Sequence, residues 1–471
     1  MKQLSAIGFT ISLSIYVFMH FMTNLLPTDS GLFILSISGV TAIIFAGIYL
    51  PIRPFSIPIF LLATATIIQL VTGGSIVQFF MEGIIEMRSL IALLLVVPII
   101  GWIFQEEPYI SEIMSVAHNF LNTSKKFYFG IMVVNQIIAY FLLFGAIPMM
   151  YQFINDFLRD KNSEEWEYFK GTALLRSFSL TTLWVISIPS FAFAVDHLNA
   201  SLGWTIAQGF FISLVGIFLS VWFASSRERQ SGVNITAGIE EEIEKLIQQS
   251  QHTGKWNRLV IEFAFLFISL FSTIFILHIT LGWGLLVIIP PIIMIWTCAY
   301  FVLKKRLKQL VAQAKDYFSK EIKYKSQQFS MLLAAGTLIY SVNQSGIGSY
   351  LVDGLFYIEE VVPFLNFLVI LPFTVIILGF MGLGPLMVIV LVAGILQNVS
   401  MPYPPELVVL SMTSGSVISV LLSPVILPVI VLSASNGLSI LKNGFSFNLW
   451  YTIAFYFIVQ TYIQFVWYVF Y

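Results

Sequence analysis

The chain has 471 residues, of which 58% are hydrophobic and 10% charged, with a formal net charge of −1 and a mean hydropathy of +0.90. Soluble domains carry about 25% charged residues, so this composition excludes a soluble protein and points to a chain that crosses a bilayer many times. There is no basic excess for nucleic acid, and the single cysteine, Cys298, excludes an intramolecular disulfide framework or a cysteine metal cluster.

A hydrocarbon core of about 30 Å takes roughly 20 apolar helical residues. In chain order, the runs that meet this are 4–26, 31–50, 56–72, 89–105, 172–195, 203–224, 258–280, 282–303, 329–345, 361–379, 404–435 and 447–470. The first follows a lone Lys2 and lacks a small-residue cleavage pattern, so it reads as a retained helix. Two further apolar pieces, 128–155 and 380–401, are interrupted by Gly and Pro. Strands of a membrane barrel would alternate over about 10 residues, and no such pattern appears. The expected fold is all-α and polytopic, with about 12 spans plus two re-entrant or broken segments.

Two polar segments separate the spans. Ser225–Arg258 contains Ile239, Ile243, Leu246 and Ile247 at helical spacing, which predicts an amphipathic surface helix. Lys304–Lys325 carries eight Lys and Arg residues, and basic clusters beside spans mark the cytoplasmic face. That cluster reads as a topology anchor or as a docking surface for lipid or protein. The aromatic run that ends at Tyr471 suits the membrane–water belt.

Internal similarity divides the chain. Leu61–Gly83 aligns with Leu332–Gly354 at an offset of 271, with eight of 23 positions identical. Each half then shows a Gly/Pro-interrupted piece (Gly145-Ala146-Ile147-Pro148; Gly382-Leu383-Gly384-Pro385) and a hydroxyl-rich helix that stops at Pro (Ser187-Ile188-Pro189; Ser423-Pro424). Pro189 to Gly209 and Pro424 to Gly444 are both 20 residues. The predicted units are 1–225, a linker 226–257, and 258–471. Six predicted crossings separate Arg53 from Lys325, an even number, whereas an inverted repeat in that alignment needs an odd one. A miscounted crossing among the broken segments is the expected resolution.

Breaks in a spanning helix survive only where protein or a polar cavity satisfies the freed backbone groups. Paired interrupted helices in duplicated halves are the sequence signature of secondary transporters, with substrate and ion bound where the half-helices end. The sharper candidate is the second segment: Thr413, Ser414, Gly415, Ser416, Ser419, Ser423 and Pro424. The first offers Thr181, Thr182, Ser187 and Pro189, and the interrupted piece before it offers Asn135. Hydroxyls at this density coordinate Na⁺ or bind a carboxylate, or else let helices pack closely. Arg176, Asp196 and His197 are candidate pathway charges, with an interfacial position as the alternative reading. The five histidines form no HExxH pair, so no metal is expected. No Walker A sequence is present, which argues against ATP-driven transport, and no paired acids suggest an enzyme. No carbonyl-filter sequence suggests a channel.

Arg176-Ser177-Phe178-Ser179-Leu180-Thr181-Thr182-Leu183-Trp184 with Ser187-Ile188-Pro189, and Gly382-Leu383-Gly384-Pro385 with Ser414-Gly415-Ser416-Val417-Ile418-Ser419-Val420-Leu421-Leu422-Ser423-Pro424, give the chain its family likeness. The pattern resembles the ion transporter superfamily of bacterial secondary carriers, which includes divalent anion/sodium symporters and citrate-type carriers. The resemblance implies two inverted repeats, each with a re-entrant hairpin (near 128–155 and 380–401) and a broken helix. It also implies a homodimer with an elevator-like transport domain in the bacterial cytoplasmic membrane. The Ser-Asn-Thr signature of the dicarboxylate carriers is absent at both breaks. The expected activity is alternating-access transport of a small organic anion coupled to Na⁺ or H⁺, with no other cofactor. A membrane-embedded scaffold, sensor or lipid- or polymer-handling protein is the alternative.

Overall fold

Long apolar runs between short Gly-, Pro- and Asn-containing turns become helices, because a helix satisfies its own backbone where water is absent. A computed structural model of the chain describes residues 2–109, 112–113, 123–158, 161–249, 256–362 and 365–471. It is 86% helical with no strands among these residues. Eleven of the described helical runs are long and apolar enough to cross a membrane. The chain is therefore an all-α polytopic membrane protein.

Helices α1 (Lys2–Leu25) and α2 (Asp29–Tyr49) form an antiparallel pair, in which Gly8 meets Phe45, Gly39 meets Tyr16 and Gly31 meets Thr23. After α3 (Ile52–Val71), the chain turns at Gly73 and returns through α4 (Ile76–Ile85), α5 (Arg88–Val96) and α6 (Gly101–Glu106). The Ser36 hydroxyl donates to Met81 O (2.9 Å) and the Tyr16 hydroxyl to Ile84 O (2.6 Å), which sets α4 alongside α2 and running the same way. The end of α6 is fixed by Arg306, whose guanidinium pairs with Glu106 (3.2 Å) and Glu107 (2.7 Å). Residue 106 thus lies on the face that carries the Lys304–Lys325 cluster, the basic face.

Helices α7 (Ser124–Leu142) and α8 (Ala146–Phe157) fold back on each other. The Phe127 ring at one end stacks on Phe157 at the other, 5.3 Å between centroids. The Ser124 hydroxyl donates to Glu228 (2.6 Å) at the end of α11 (Leu202–Ser231), so this hairpin enters from the basic face. Then come α9 (Glu164–Thr181) and α10 (Pro189–His197), the two pieces of one broken helix. The expected surface helix is α12 (Ile235–Gln249), with Ile239 buried. The side chains of Ile243, Leu246 and Ile247 lie outside the described residues.

Helix α13 (Trp256–Leu281) leads to the opposite face and α14 (Leu285–Leu303) returns. The basic segment folds as α15 (Leu307–Asp316) and α16 (Ile322–Tyr324), and α17 (Ser326–Ser345) and α18 (Ile347–Val361) follow. Helices α19 (Phe367–Leu378) and α20 (Gly384–Leu396) make a second hairpin, closed by Tyr403 stacking on Phe367 at 5.8 Å. The second broken helix is α21 (Pro405–Leu422) with α22 (Leu427–Asn436), and α23 (Phe447–Phe470) ends the chain. Glu406 accepts from Ser201 N (2.8 Å), and Tyr403 packs on Trp467 (4.8 Å), so this hairpin enters from the face opposite the basic one.

Several expected boundaries change. The run 361–379 is not a full span. Its helix has 12 residues and is the first arm of the second hairpin, which occupies Phe367–Leu396 rather than 380–401. The run 128–155, expected as an interrupted or re-entrant piece, forms two arms, Ser124–Leu142 and Ala146–Phe157, that turn back on each other. The first broken helix begins at Glu164, eight residues before the expected 172, because an acidic first turn starts it. Neither that helix nor α17 is among the eleven apolar runs, since Glu164, Glu165, Glu167, Lys170 and Arg176 lower the hydropathy of the one, and Gln327, Gln328 and Asn343 that of the other.

Candidate functional site

The two broken helices stop differently. Helix α9 already ends at Thr181 and passes through non-helical turns before Pro189, so the expected stop at Pro189 is not found, whereas α21 runs to Leu422, directly before the Ser423-Pro424 step. A residue before Pro is pushed out of the helical region, and Ile188 (φ −74°, ψ 111°) and Ser423 (φ −73°, ψ 126°) are extended before Pro189 and Pro424. Pro189 then starts α10, where its missing N–H costs nothing.

Each break is met by the tip of the hairpin before it. Helix α7 runs parallel to α9: Tyr128 bonds Thr172 (2.9 Å), Asn135 Nδ2 donates to Leu174 O (3.1 Å) and Ser177 Oγ (2.8 Å), and Ser187 Oγ donates to Tyr140 O (2.6 Å). Helix α19 runs parallel to α21 in the same manner: Ser411 Oγ donates to Leu368 O (2.8 Å), Gly415 seats on the Pro372 backbone, and Ser423 Oγ donates to Gly379 O (3.4 Å). In each half the serine at the break is thus tied to a carbonyl at the hairpin tip. The tips are tight: Leu143 adopts φ +49°, rare for a side-chain-bearing residue, and Gly382 and Gly384 supply positive φ in the second. Helices α9 and α21 pack against each other.

The hydroxyls divide by what they have left to offer. Thr413 donates to Val409 O (2.8 Å), Ser414 to Ser411 O (2.7 Å), Thr182 to Ser179 O (2.7 Å), and Thr181 to Phe178 O. Their protons are spent on their own helices, so their oxygens can face a cation but cannot donate to a carboxylate. Ser416 Oγ, Ser419 Oγ and Asn135 Oδ1 are buried with no hydrogen-bond partner. Leaving such groups unsatisfied costs about 1–3 kcal/mol each, and a water, an ion or a ligand would supply the missing partner. Gly415 serves close packing, since a Cβ there would lie 2.6 Å from Pro372 O.

The three candidate charges are not brought to the breaks. Arg176 is fully buried and does not snorkel to the interface. Its Nε donates to Asn448 Oδ1 (2.8 Å) and its terminal nitrogens to Phe447 O (2.8 Å), Tyr168 OH (3.2 Å) and Ser220 Oγ (3.3 Å), while its guanidinium lies 4.5 Å from the Tyr451 ring centroid. No carboxylate pairs with it among the described residues. Asp196 caps α14, accepting from Leu285 N (3.0 Å) and Leu286 N (3.1 Å). His197 stacks on Phe193 at 3.6 Å. Both line a cleft of about 640 Å³ on the opposite face with His278, Trp283, Gln397 and Asn398.

Sequence reasoning passed over one polar cluster. Lys170 is fully buried beside Glu167, and its ammonium also donates to Asn155 Oδ1 (3.0 Å) while Tyr151 donates to Glu167 (2.9 Å). This pair binds α8 to α9. Its signal was an acid three residues before a lysine at the start of an apolar helix.

No protein-family model and no curated protein matches the sequence, so the functional reading rests on this geometry.

The serine ties make a prediction. Ser187→Ala will leave Tyr140 O buried without its donor and lower stability by about 1–2 kcal/mol. Ser423→Ala, with its longer contact, will cost less. Thermal unfolding of the detergent-purified variants measures both, and equal losses would mean that the two breaks are tied alike.

Proposed function

We propose that the chain is a secondary active transporter that moves a small organic anion by alternating access, coupled to Na⁺ or H⁺. The observation that supports it is that two hairpins entering from opposite faces each dock their tip on the break of a broken helix. The spare polar atoms of Ser416, Ser419 and Asn135 lie buried on those same elements. In this reading Ser416 and Ser419, which keep their protons, receive the anion. Thr181, Thr182, Thr413 and Ser414, whose protons are spent, are left to the cation.

The same reading makes the halves 1–225 and 258–471 inverted repeats joined by the linker 226–257, with 124–231 set against 367–470. The equal spacings from each Pro then have a common role: Gly209 seats on Leu183 O, and Gly444 lies against Leu421 O. In this reading the parity conflict is one of register: α3, α4–α6, α9–α10, α11, α13 and α14 serve as the six crossings between Arg53 and Lys325, so the matched segments 61–83 and 332–354 run the same way, and the inverted pair is 124–231 with 367–470. The arrangement fits the ion transporter superfamily, a homodimer and a cytoplasmic membrane whose inner face is the basic one.

The test is thermal stability of the purified protein across a panel of small organic anions, with and without Na⁺ and at several pH values. A ligand of the native state stabilises by about 2.7 kcal/mol at 100 times its dissociation constant. A shift for one anion class, lost in Ser416→Ala or Ser419→Ala, is the expected result, and its Na⁺ or pH dependence names the coupling ion. A flat panel together with no uptake into reconstituted vesicles would favour a scaffold or sensor.

A further inference from the structure

The basic segment is more than a string of charges. Four of its members are already engaged: Lys304 pairs with Glu262 (2.6 Å), Arg306 with Glu106 and Glu107, Lys320 with Asp316 (2.8 Å), and Lys325 lies over the Tyr317 ring (5.2 Å). Lys305, Lys308 and Lys315 are exposed and have no carboxylate partner among the described residues.

The face on which they sit is set by how α15 is held. Gln313 Nε2 donates to Glu106 Oε1 (2.8 Å), and Leu310 and Ala314 pack on the core. Those three residues define the inner side. At about 100° per residue, Leu307, Val311, Lys315 and Lys308 share an arc of about 100° on the outer side. Leu307 is 52% exposed and Val311 67%. Two apolar side chains are thus held outward beside two free lysines on the same arc. The patch is continuous with Val302 and Leu303, exposed at the end of α14, a helix apolar enough to span the membrane. Helix α15 therefore leaves the bilayer at its surface.

We propose that this face of α15 docks on anionic phospholipid headgroups of the leaflet at the basic face, with Leu307 and Val311 in the acyl boundary and Lys305, Lys308 and Lys315 on the phosphates. Apolar residues flanked by lysine on one helical face suit the interfacial plane. Each lysine near an anionic leaflet contributes about a fivefold preference. The charge complementarity selects lipid over an apolar protein partner, which would leave the three ammonium groups unpaired.

The experiment uses the full chain in a Cys298→Ser background, with Val311→Cys carrying an environment-sensitive fluorophore, in nanodiscs of phosphatidylcholine with or without phosphatidylglycerol. The expected result is a blue-shifted emission and protection from a water-soluble quencher that are several-fold greater with phosphatidylglycerol. That gain should weaken with added salt. Combining Lys305→Gln, Lys308→Gln and Lys315→Gln will abolish the gain from phosphatidylglycerol, with the unfolding midpoint in detergent unchanged. Inorganic phosphate added to phosphatidylcholine discs should not reproduce the protection. Equal protection in both discs, protection that survives the triple substitution, or protection seen only on adding a soluble cell extract would each overturn the proposal.

Discussion

Gly209→Ala should destabilise the protein more than any other single-carbon addition on α11. A Cβ at 209 would lie 2.0 Å from Leu183 O, 2.8 Å from Leu183 C and 3.1 Å from Trp184 Cβ. The first two are backbone atoms of the break, and they have nowhere to rotate. Adding one carbon to a packed core costs about 1–3 kcal/mol when side chains can yield, and a backbone obstacle puts this site at about 3 kcal/mol. Gly203→Ala on the same helix is the control. Nothing lies within 4 Å of its Cβ position, so Ala should be neutral or should stabilise by about 0.5 kcal/mol. Unfolding midpoints of the two variants measure the difference. Equal midpoints would show that α11 does not press on the first break. Because the strain falls on residues 183 and 184, the proposed transport function adds the expectation that Gly209→Ala depresses uptake beyond its effect on folded yield.

The second large effect is expected at Arg176. Its guanidinium supplies four hydrogen bonds, two of them to strong acceptors, Asn448 Oδ1 and Phe447 O, at the start of α23. Arg176→Met fills much of the volume and removes a cation whose burial is itself costly. If the charge alone mattered, the variant would be as stable as the parent or more so. The acceptors decide otherwise: each one left buried and unpaired costs about 1–3 kcal/mol, so Arg176→Met should lose about 3 kcal/mol. Arg176→Lys keeps the charge but offers a point donor in place of a planar fork, and should recover less than half of the loss. Thermal unfolding reads both. A fully stable Arg176→Met would mean that α9 is not tied to α23 through this residue.

Much of the architecture was legible because it is written locally. Pro424 dictates where α21 stops and Pro189 where α10 starts, and the serines beside them mark the side chains that reach the hairpin tips. What could not be read was direction. A hairpin arm and half a span have the same hydropathy. Only a contact such as Phe127 on Phe157, or Phe367 on Tyr403, tells a chain that turns back from one that continues. On those grounds the run 361–379 reads as a crossing in the sequence, whereas it holds the first arm of the second hairpin. Arg176 was equally opaque, since its main acceptor, Asn448, is 272 residues away. The hydroxyls posed a subtler problem. Thr413 and Ser416 look alike in the sequence, yet one spends its proton on a carbonyl four residues back and the other keeps it.

A buried guanidinium without a carboxylate also has an electrical consequence. Any rearrangement that carries Arg176 along the membrane normal moves its one elementary charge through the transmembrane field, worth about 2.3 kcal/mol per 100 mV for a full traverse. The Glu167–Lys170 pair on the same helix is neutral as a unit and adds nothing to that work. A monovalent anion travelling with α9 would cancel the charge of Arg176. Under the proposed transport function, the loaded form would then move without regard to membrane potential, while the empty one would be driven by it.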